Sequence, residues 1–411
     1  MRILIVSQYF WPEAFRINDL AASLQSDYGH EVTVLTGIPN YPEGRYFHGY
    51  SFCGPKREKW NGVEIIRVPL ISRGKGSKLR LALNYLSFLS SACILGPWKC
   101  EGNFDVIFVA QYSPVTVALP AIMLKKIKNA PMFLWVQDLW PESLSATGAI
   151  RSNWILGTIQ AMVAYIYRQS DRILVQSKAF IPRIQTLNEK TGGIDYLPNW
   201  AEAIYQPCTP NVAWGESKGL PDGFRVMFAG NIGAAQDFAT ILSAAERLRD
   251  KVDIHWVILG DGRTRSWVEK EIAERRLSNI VHLMGRYPVE DMPRFFALAD
   301  ALLVTLKKEP IFALTIPSKV QSYLACARPL LAALDGEGCR VVEEAGAGLA
   351  CCTEDPEQLA SIVLQLHNLP PSDREAMGIR GRKYYEENFE RGALIGKVVA
   401  WCRESQEKGS S

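Results

Sequence analysis

Apolar and polar positions alternate along the chain in a βα rhythm. MRILIVSQYF reads as a strand, apolar from Ile3 to Val6, that stops at Gln8, and a helical pattern through Ala21 and Leu24 follows it. HEVTVLTG, Val63 to Val68, Val106 to Val109, MFLWVQDLW and RILVQSK repeat the unit, each a short run bounded by loop residues. Short buried strands separated by helices predict an α/β fold with a doubly wound parallel sheet. In such sheets ligands sit at the carboxyl ends of strands, so Gln8–Arg16, 38–45, 111–114 and 137–142 are expected to line one cleft. From Tyr196 to Gly223 four prolines appear and periodicity is lost, which marks a linker; a second α/β pattern runs from Phe224 to about Pro371. The expected division is therefore a first domain over residues 1–200, a linker over 201–222, a second domain over 223–372, and a final helical segment, 373–411, able to cross back to the first domain.

The second pattern carries the chemistry. Val226 to Ala229 is a strand, Gly230-Asn231-Ile232-Gly233 a turn, and the residues from Asp237 to Asp250 an amphipathic helix. Glycines let a backbone approach an anion, and the helix behind them offers unpaired N–H groups and a positive dipole end. One such turn often does no more than reverse the chain. Here Trp256 to Leu259 ends in Gly260-Asp261-Gly262, and Ala301 to Leu306 leads to Pro317-Ser318-Lys319 at a helix start. Three strand ends carrying glycine or lysine turns are what a nucleotide-diphosphate pocket requires. No G-x-G-x-x-G follows the first strand, which disfavours a two-domain dehydrogenase.

Size and charge narrow the classes further. The chain has 411 residues, too many for one core, and a formal net charge of +3, which does not point to nucleic acid. That charge is uneven: Arg67, Arg73, Lys75, Lys78 and Arg80 precede an uncharged run, Leu81 to Trp98. A basic stripe beside an apolar segment suits an anionic lipid surface, and the run reads as a buried or interfacial helix rather than a bilayer-crossing one. Charge reversal at Lys75, Lys78 and Arg80 is expected to loosen that association. The uncharged stretch Ser152 to Tyr167 reads as a core helix, and the N-terminus enters a strand at once, without a signal-peptide pattern. Nine cysteines without a C-x-x-C pair read as reduced thiols of a cytosolic protein. Five scattered histidines and the lack of any Asp-x-Asp give no expectation of a metal or other cofactor.

HEVTVLTG, DRILVQSKAF, YLPN, MFAGNIG, WVILGDG, VHLMGR, ALADALLV and PSKVQSYLACARPLLA occur in the order and near the spacing found in family 4 glycosyltransferases of the GT-B fold, which the chain resembles over nearly its whole length. YFWPE, GIPNYPEG, VQDLWPES and LPNW are similar, more narrowly, to the bacterial branch that builds O-antigen and colanic-acid polysaccharides and includes N-acetyl-L-fucosamine transferases. The resemblance implies two Rossmann-like doubly wound domains facing an interdomain cleft, the second holding a nucleotide-sugar and the first an acceptor, with retaining, metal-independent transfer. By position it implies that Gly230, Asn231, Gly233 and Gln236 form the diphosphate loop, that Gly260, Asp261 and Gly262 pack on the nucleotide, that Gly285, Arg286 and Tyr287 meet the base, and that Pro317, Ser318 and Lys319 meet phosphates and ribose. Two departures stand out. Leu314 and Ser322 occupy the places of a glutamate pair, which leaves ribose recognition to Ser322 and Gln321; and the loop cations are replaced by Asn231 and Gln236, which leaves Lys319, with Arg16 second, to face the leaving diphosphate.

The expected catalytic residues are Lys319 with Asp138 and Glu142, the acids of VQDLWPES, although Asp138 also suits a turn cap and Glu142 a solvated helix start. Tyr9, Trp11, Asn40, Arg45 and Trp140 are the candidate acceptor contacts, the aromatics because sugar rings stack on them. The resulting expectation is a UDP-sugar-dependent transferase that moves an N-acetyl deoxyhexosamine such as L-FucNAc to a polyprenyl-diphosphate-linked saccharide in O-antigen, capsule or lipopolysaccharide synthesis. It would be a cytoplasmic protein, peripheral on the anionic inner face of the inner membrane. A UDP-N-acetylglucosamine 2-epimerase of the same fold and a non-catalytic nucleotide-sugar-binding subunit are the rivals.

Overall fold

The structure, a computed structural model, describes residues 1–52, 54–74, 77–146, 152–188, 193–251 and 253–409; Lys75 lies outside them. It separates into two compact units, Met1–Pro198 with Gly392–Ser411, and Asn199–Arg391.

The first unit is built on eight strands: β1 (Arg2–Val6), β2 (Glu31–Gly37), β3 (Arg57–Trp60), β4 (Val63–Val68), β5 (Val106–Gln111), β6 (Met132–Val136), β7 (Arg172–Val175) and β8 (Ile194–Tyr196). Their order is β3-β4-β2-β1-β5-β6-β7-β8, parallel except for the β3–β4 hairpin. The chain leaves β1 toward β2 and resumes on the other side at β5, so β1 and β5 flank the switch point. Continuous burial of Ile3–Val6 and Val106–Gln111 follows from helices covering both faces of a parallel sheet. β3 was not expected; its turn residues Asn61 and Gly62 both have positive φ, 49° and 81°, which suits a two-residue hairpin. The helices are α1 (Arg16–Ser26), α2 (Lys78–Lys99), α3 (Ala118–Lys128), α4 (Glu142–Ala146), α5 (Asn153–Gln169) and α6 (Phe180–Leu187).

Two features of this unit correct the sequence reading. α5 is not a core helix: Val163, Ile166 and Tyr167 are buried, but Trp154, Ile155 and most of the first turns face solvent. Arg67 is not part of a basic surface stripe. It is buried, pairs with Glu58 and donates to the carbonyls of Gly37 and Trp11.

In the second unit six strands run parallel in the order β11-β10-β9-β12-β13-β14. They are β9 (Phe224–Ala229), β10 (Ile254–Leu259), β11 (Val281–Gly285), β12 (Ala301–Thr305), β13 (Leu330–Ala333) and β14 (Gly348–Cys351). Successive residues of β9 feed two separate cores, Met227 and Ala229 one, Val226 and Phe228 the other, as strand alternation requires. The helices here are α7 (Val212–Ser217), α8 (Phe238–Arg247), α9 (Arg265–Glu274), α10 (Met292–Ala297), α11 (Pro310–Ala313), α12 (Ser318–Ala325), α13 (Glu337–Glu344), α14 (Pro356–Asn368) and α15 (Pro371–Asn388).

Residues 201–222 are packed structure rather than a linker. The Asn211 side chain caps α7 by accepting the Trp214 N–H at 3.0 Å, Trp214 meets Phe295 at 4.7 Å, and Leu220 is buried. Nor is 373–411 one segment. It breaks after Asn388: α15 packs on α12 through Gly381 against Leu324, with Gly378 against Ala327 just past that helix, whereas the following helix, α16 (Arg391–Gly409), packs in the first unit, where Glu404 pairs with Arg172 at 2.8 Å.

Candidate active site

At the carboxyl end of the second sheet three turns are laced together by backbone. The Gly230 N–H donates to Leu259 O at 2.9 Å, Gly260 N–H to Gly285 O at 2.7 Å and Ile232 N–H to Asp261 O at 2.9 Å. A Cβ on Gly260 would lie 1.9 Å from the Gly230 carbonyl oxygen, and one on Gly262 2.2 Å from that of Ile232. The turns touch this closely only because side chains are missing. They leave a cavity of about 330 Å³ bordered by Gly230, Asn231, Gly260, Asp261, Arg286 and Tyr287, with Leu259 and Met292 as the apolar wall. Asp261 holds its own turn by accepting the Gly262 N–H at 2.8 Å and stands 3.4 Å from the Arg286 guanidinium.

Lys319 arrives from α12. Its Cε would lie 2.7 Å from a Cβ on Gly230, so the ammonium passes directly over the glycine floor. It donates to Gln236 Oε1, sits 4.6 Å from the centre of the Phe228 ring, and burial alone lowers it to about 8. Gln236 is itself fixed by the Thr305 hydroxyl on its carbonyl. A desolvated cation beside an amide oxygen and an aromatic face, at the first turn of a helix, is a socket for an anion. Gly233 abuts the Asn231 amide, Pro317 caps α12 and Ser318 is exposed in its first turn. Ser322 is nearly buried, and Gln321 is completely so, with its amide nitrogen donating to Pro317 O at 3.1 Å and Ser318 O at 3.3 Å. Gln321 therefore braces the start of α12 and is not placed to grip a ribose. Sequence reasoning missed Phe228 and Met292, which look like ordinary core residues in the chain. It also missed Asp237, a buried residue at φ 48° whose Oδ2 has no hydrogen-bond partner among the described residues.

In the first unit the Asp138 carboxylate accepts Ser143 Oγ–H at 3.1 Å and Trp140 Nε1–H at 3.3 Å; burial raises its pKa. Glu142, partly exposed, opens α4, and Arg16 opens α1. The acceptor candidates divide. Trp11 is partly exposed and stacks on Trp60 at 5.9 Å, while Arg45 is exposed and pairs with Glu43 at 2.9 Å. Tyr9 and Trp140 are buried, Tyr9 between Phe15 at 5.0 Å and Tyr41 at 5.7 Å, which corrects their expected role as open stacking platforms. Asn40 is wholly buried; its side-chain oxygen accepts from the Arg73 N–H at 3.0 Å and from Asn84 at 3.3 Å, so it holds loops together instead of meeting an acceptor.

The residue that orders this region is Glu13, which nothing in its sequence context singles out. Its buried carboxylate accepts the Asn40 and Tyr41 N–H groups at 2.7 Å each and the Phe10 N–H at 3.3 Å, tying the loop after β1 to the loop after β2. Burial pushes it from 4.5 to about 7 against those bonds. With a folded pKa raised above the unfolded one, its contribution to stability is complete below about pH 4.5 and is lost as pH rises through about 7. Glu13→Gln is therefore expected to remove up to about 3 kcal/mol of the stability lost between about pH 4.5 and 7, read as a shallower fall of melting temperature with pH. Parallel wild-type and variant pH profiles would dismiss Glu13 as the titrating group.

Two Rossmann-like sheets of this topology are the fold of the GT-B glycosyltransferases, and comparison with known proteins gives the family. Residues 223–368 match the family described as "Glycosyl transferases group 1" and residues 14–200 the "Glycosyl transferase 4-like domain". The two matches take in most of the chain and class it with the group 1 glycosyltransferases. WcaI of Escherichia coli K12, named for a glycosyl transferase of colanic acid biosynthesis, is 25% identical over 97% of this chain and 99% of its own. WbjE of Pseudomonas aeruginosa, named as a glycosyltransferase, is 27% identical over 69% of this chain and 72% of its own. Among solved structures, the sucrose-phosphate synthase of Thermosynechococcus elongatus covers 100% of both chains with a TM-score of 0.77 at 16% identity. Anabaena HepE in complex with UDP covers 98% of this chain and 100% of its own, with a TM-score of 0.70 at 14% identity, a likeness of fold.

Proposed function

We propose that this glycosyltransferase is a retaining enzyme of bacterial surface polysaccharide synthesis. It moves an N-acetyl deoxyhexosamine, N-acetyl-L-fucosamine in the first place, from a UDP donor to a polyprenyl-diphosphate-linked saccharide at the cytoplasmic face of the inner membrane. The observation that carries the reading is Lys319: its ammonium is set over Gly230, burial lowers its pKa, and among the described residues no carboxylate pairs with it. A diphosphate supplies the missing counter-charge. As the bond from the sugar's anomeric carbon to the β-phosphate oxygen breaks, charge accumulates on that oxygen. Lys319 and the first-turn N–H groups of α12 stabilise it, which accelerates departure. The acceptor hydroxyl oxygen forms the new bond on the same face and its proton passes to the departing phosphate, so no side chain of this chain is required as base. Asp138, with its raised pKa, then serves to bind acceptor hydroxyls. HepE was solved with UDP and with UDP and glucose, and WcaI is named for colanic acid; both support a UDP donor and a polysaccharide product here.

The experiment is a panel of UDP-sugars and GDP-sugars scored by protection against thermal unfolding. A hundredfold excess over Kd stabilises the native state by about 2.7 kcal/mol. UDP-N-acetyl deoxyhexosamines are expected to protect most and GDP-sugars not at all. Protection by no UDP compound overturns the donor assignment, and a new epimer formed from donor alone, without acceptor, overturns transfer in favour of epimerisation.

A further inference from the structure

Three neighbouring helices of the first unit leave apolar surface uncovered. α2 is apolar all round yet buries only one stripe, Asn84, Phe88, Ala92 and Gly96. On the opposite side Leu79, Leu83, Leu86 and Ile94 face solvent, with Trp98 at the helix end 82% exposed. α3 packs against both α2 and α5 and adds exposed Ile127, and the first turns of α5 add Ile155 and Trp154, the latter 80% exposed. Soluble proteins do not ordinarily leave so many large apolar side chains together in water.

Charge says what covers them. Asp and Glu account for 43 of the 411 residues, yet none occurs in α2, α3 or α5. The charges these helices do carry are cationic: Lys78 and Arg80 in the first turn of α2, Lys99 at its end, and Lys126 and Lys128 in the last turn of α3, where Lys125 is already paired with Asp171 at 2.6 Å. A second protein has no need of a face cleared of acids, whereas an anionic bilayer does. α2 is the one helix among the described residues long and apolar enough to cross a membrane, but its inner side is committed. Asn84 accepts from Gln8 at 2.8 Å and donates to Ile71 O at 2.6 Å, and Gly96 lies against Leu35. Pulling α2 into a bilayer would orphan those groups.

We infer that α2, α3 and α5 form one docking face for an anionic lipid bilayer, on which α2 lies flat and the first turns of α5, through Trp154 and Ile155, enter the lipid as a second anchor. The inference deepens the membrane-borne acceptor assignment and rests on it for its purpose. α5 adds what the basic stripe ahead of α2 does not: a second point that fixes how the unit is turned on the membrane.

The test uses the full chain and vesicles of equimolar phosphatidylglycerol and phosphatidylethanolamine, with phosphatidylcholine vesicles as control. Wild type is expected to co-sediment with the anionic vesicles only, and to be released by alkaline carbonate. The double variant Trp154→Ser with Ile155→Ser, and separately Ile94→Ser, should each lower the partition coefficient about tenfold or more. Their melting temperature and protection by UDP should be unchanged, because the substituted side chains are exposed. Unchanged partition of the α5 variant overturns the second anchor, and carbonate-resistant retention overturns the flat-lying α2. A lipid-free dimer by light scattering that the α5 variant dissociates without losing lipid binding would make this face an interface between copies. Loss of UDP protection in the wild type would sink the transferase assignment while leaving vesicle binding standing, so the two failures are distinguishable.

Discussion

Lys319→Ala is expected to give a folded protein that transfers sugar about a hundredfold or more slower than wild type. The size follows from the site. A single preorganised donor at a developing oxyanion is commonly worth two to three powers of ten, and Lys319 is the ammonium set over the glycine floor. Stability should move the other way. Burial depresses the ammonium from 10.5 to about 8, so the folded state prefers it neutral; that preference contributes stability above about pH 10.5 and the contribution is lost as pH falls through about 8. At pH 7 the full cost is present, up to about 3 kcal/mol before the bond to Gln236 is counted against it, and the alanine protein should melt at the same temperature or higher. UDP binding needs the charged form, so affinity in the wild type should weaken above about pH 8, and Lys319→Arg should erase that dependence. Calorimetry and single-turnover rates on the three proteins decide it. Near-normal turnover in the alanine variant, or UDP affinity flat to pH 10, removes Lys319 from the mechanism.

How much of this was legible depended on whether the signal was backbone or side chain. Glycine turns at the ends of apolar runs marked Gly230 and Gly260, the resemblance added Gly285, and the structure brings these turns together, with Lys319 over Gly230, because the conformations involved are ones that only glycine adopts freely. The alternation of strands and helices likewise foretold two parallel sheets. Burial of individual side chains was less readable. Asn40, Gln321, Tyr9 and Trp140 occupy loop or helix-start positions that ordinarily face a ligand, and only packing from distant segments, Arg73 and Asn84 over Asn40 for example, shuts them in. α5 fails in the opposite direction: an uncharged apolar helix looks like core in sequence, and nothing in its period reveals that its first turns are left uncovered. The β3 hairpin was within reach, since Asn61-Gly62 is the strongest two-residue turn signal. The packing of 201–222 was not, because α7 is short and its anchor, Trp214 on Phe295, is long-range.

Gly260→Ala is expected to be the most destabilising single-methyl change in the second unit's site. Gly260 has φ +133°, a region that side-chain-bearing residues rarely enter, and its new Cβ would stand 1.9 Å from the Gly230 carbonyl oxygen. That oxygen cannot swing aside like the tip of a side chain. The Gly230 N–H is bonded to Leu259 O, and Gly260 is tied on its other side to Gly285 O. The turns must part, and backbone strain plus overpacking should cost about 3 kcal/mol or more. At the usual slope for a domain of this size that is a fall of about 6 to 12 °C in melting temperature, with loss of UDP protection. Gly285→Ala is the matched control: its φ of +79° carries the conformational cost, yet its nearest neighbour would be Arg265 Nη1 at 3.7 Å, an ordinary contact. It should cost only about 1 kcal/mol. The gap between the two variants isolates the contact between the Gly230 and Gly260 turns from the intrinsic preference of glycine. If the two melt within about a degree of each other, those turns are not in contact and the phosphate floor beneath Lys319 is not built as described.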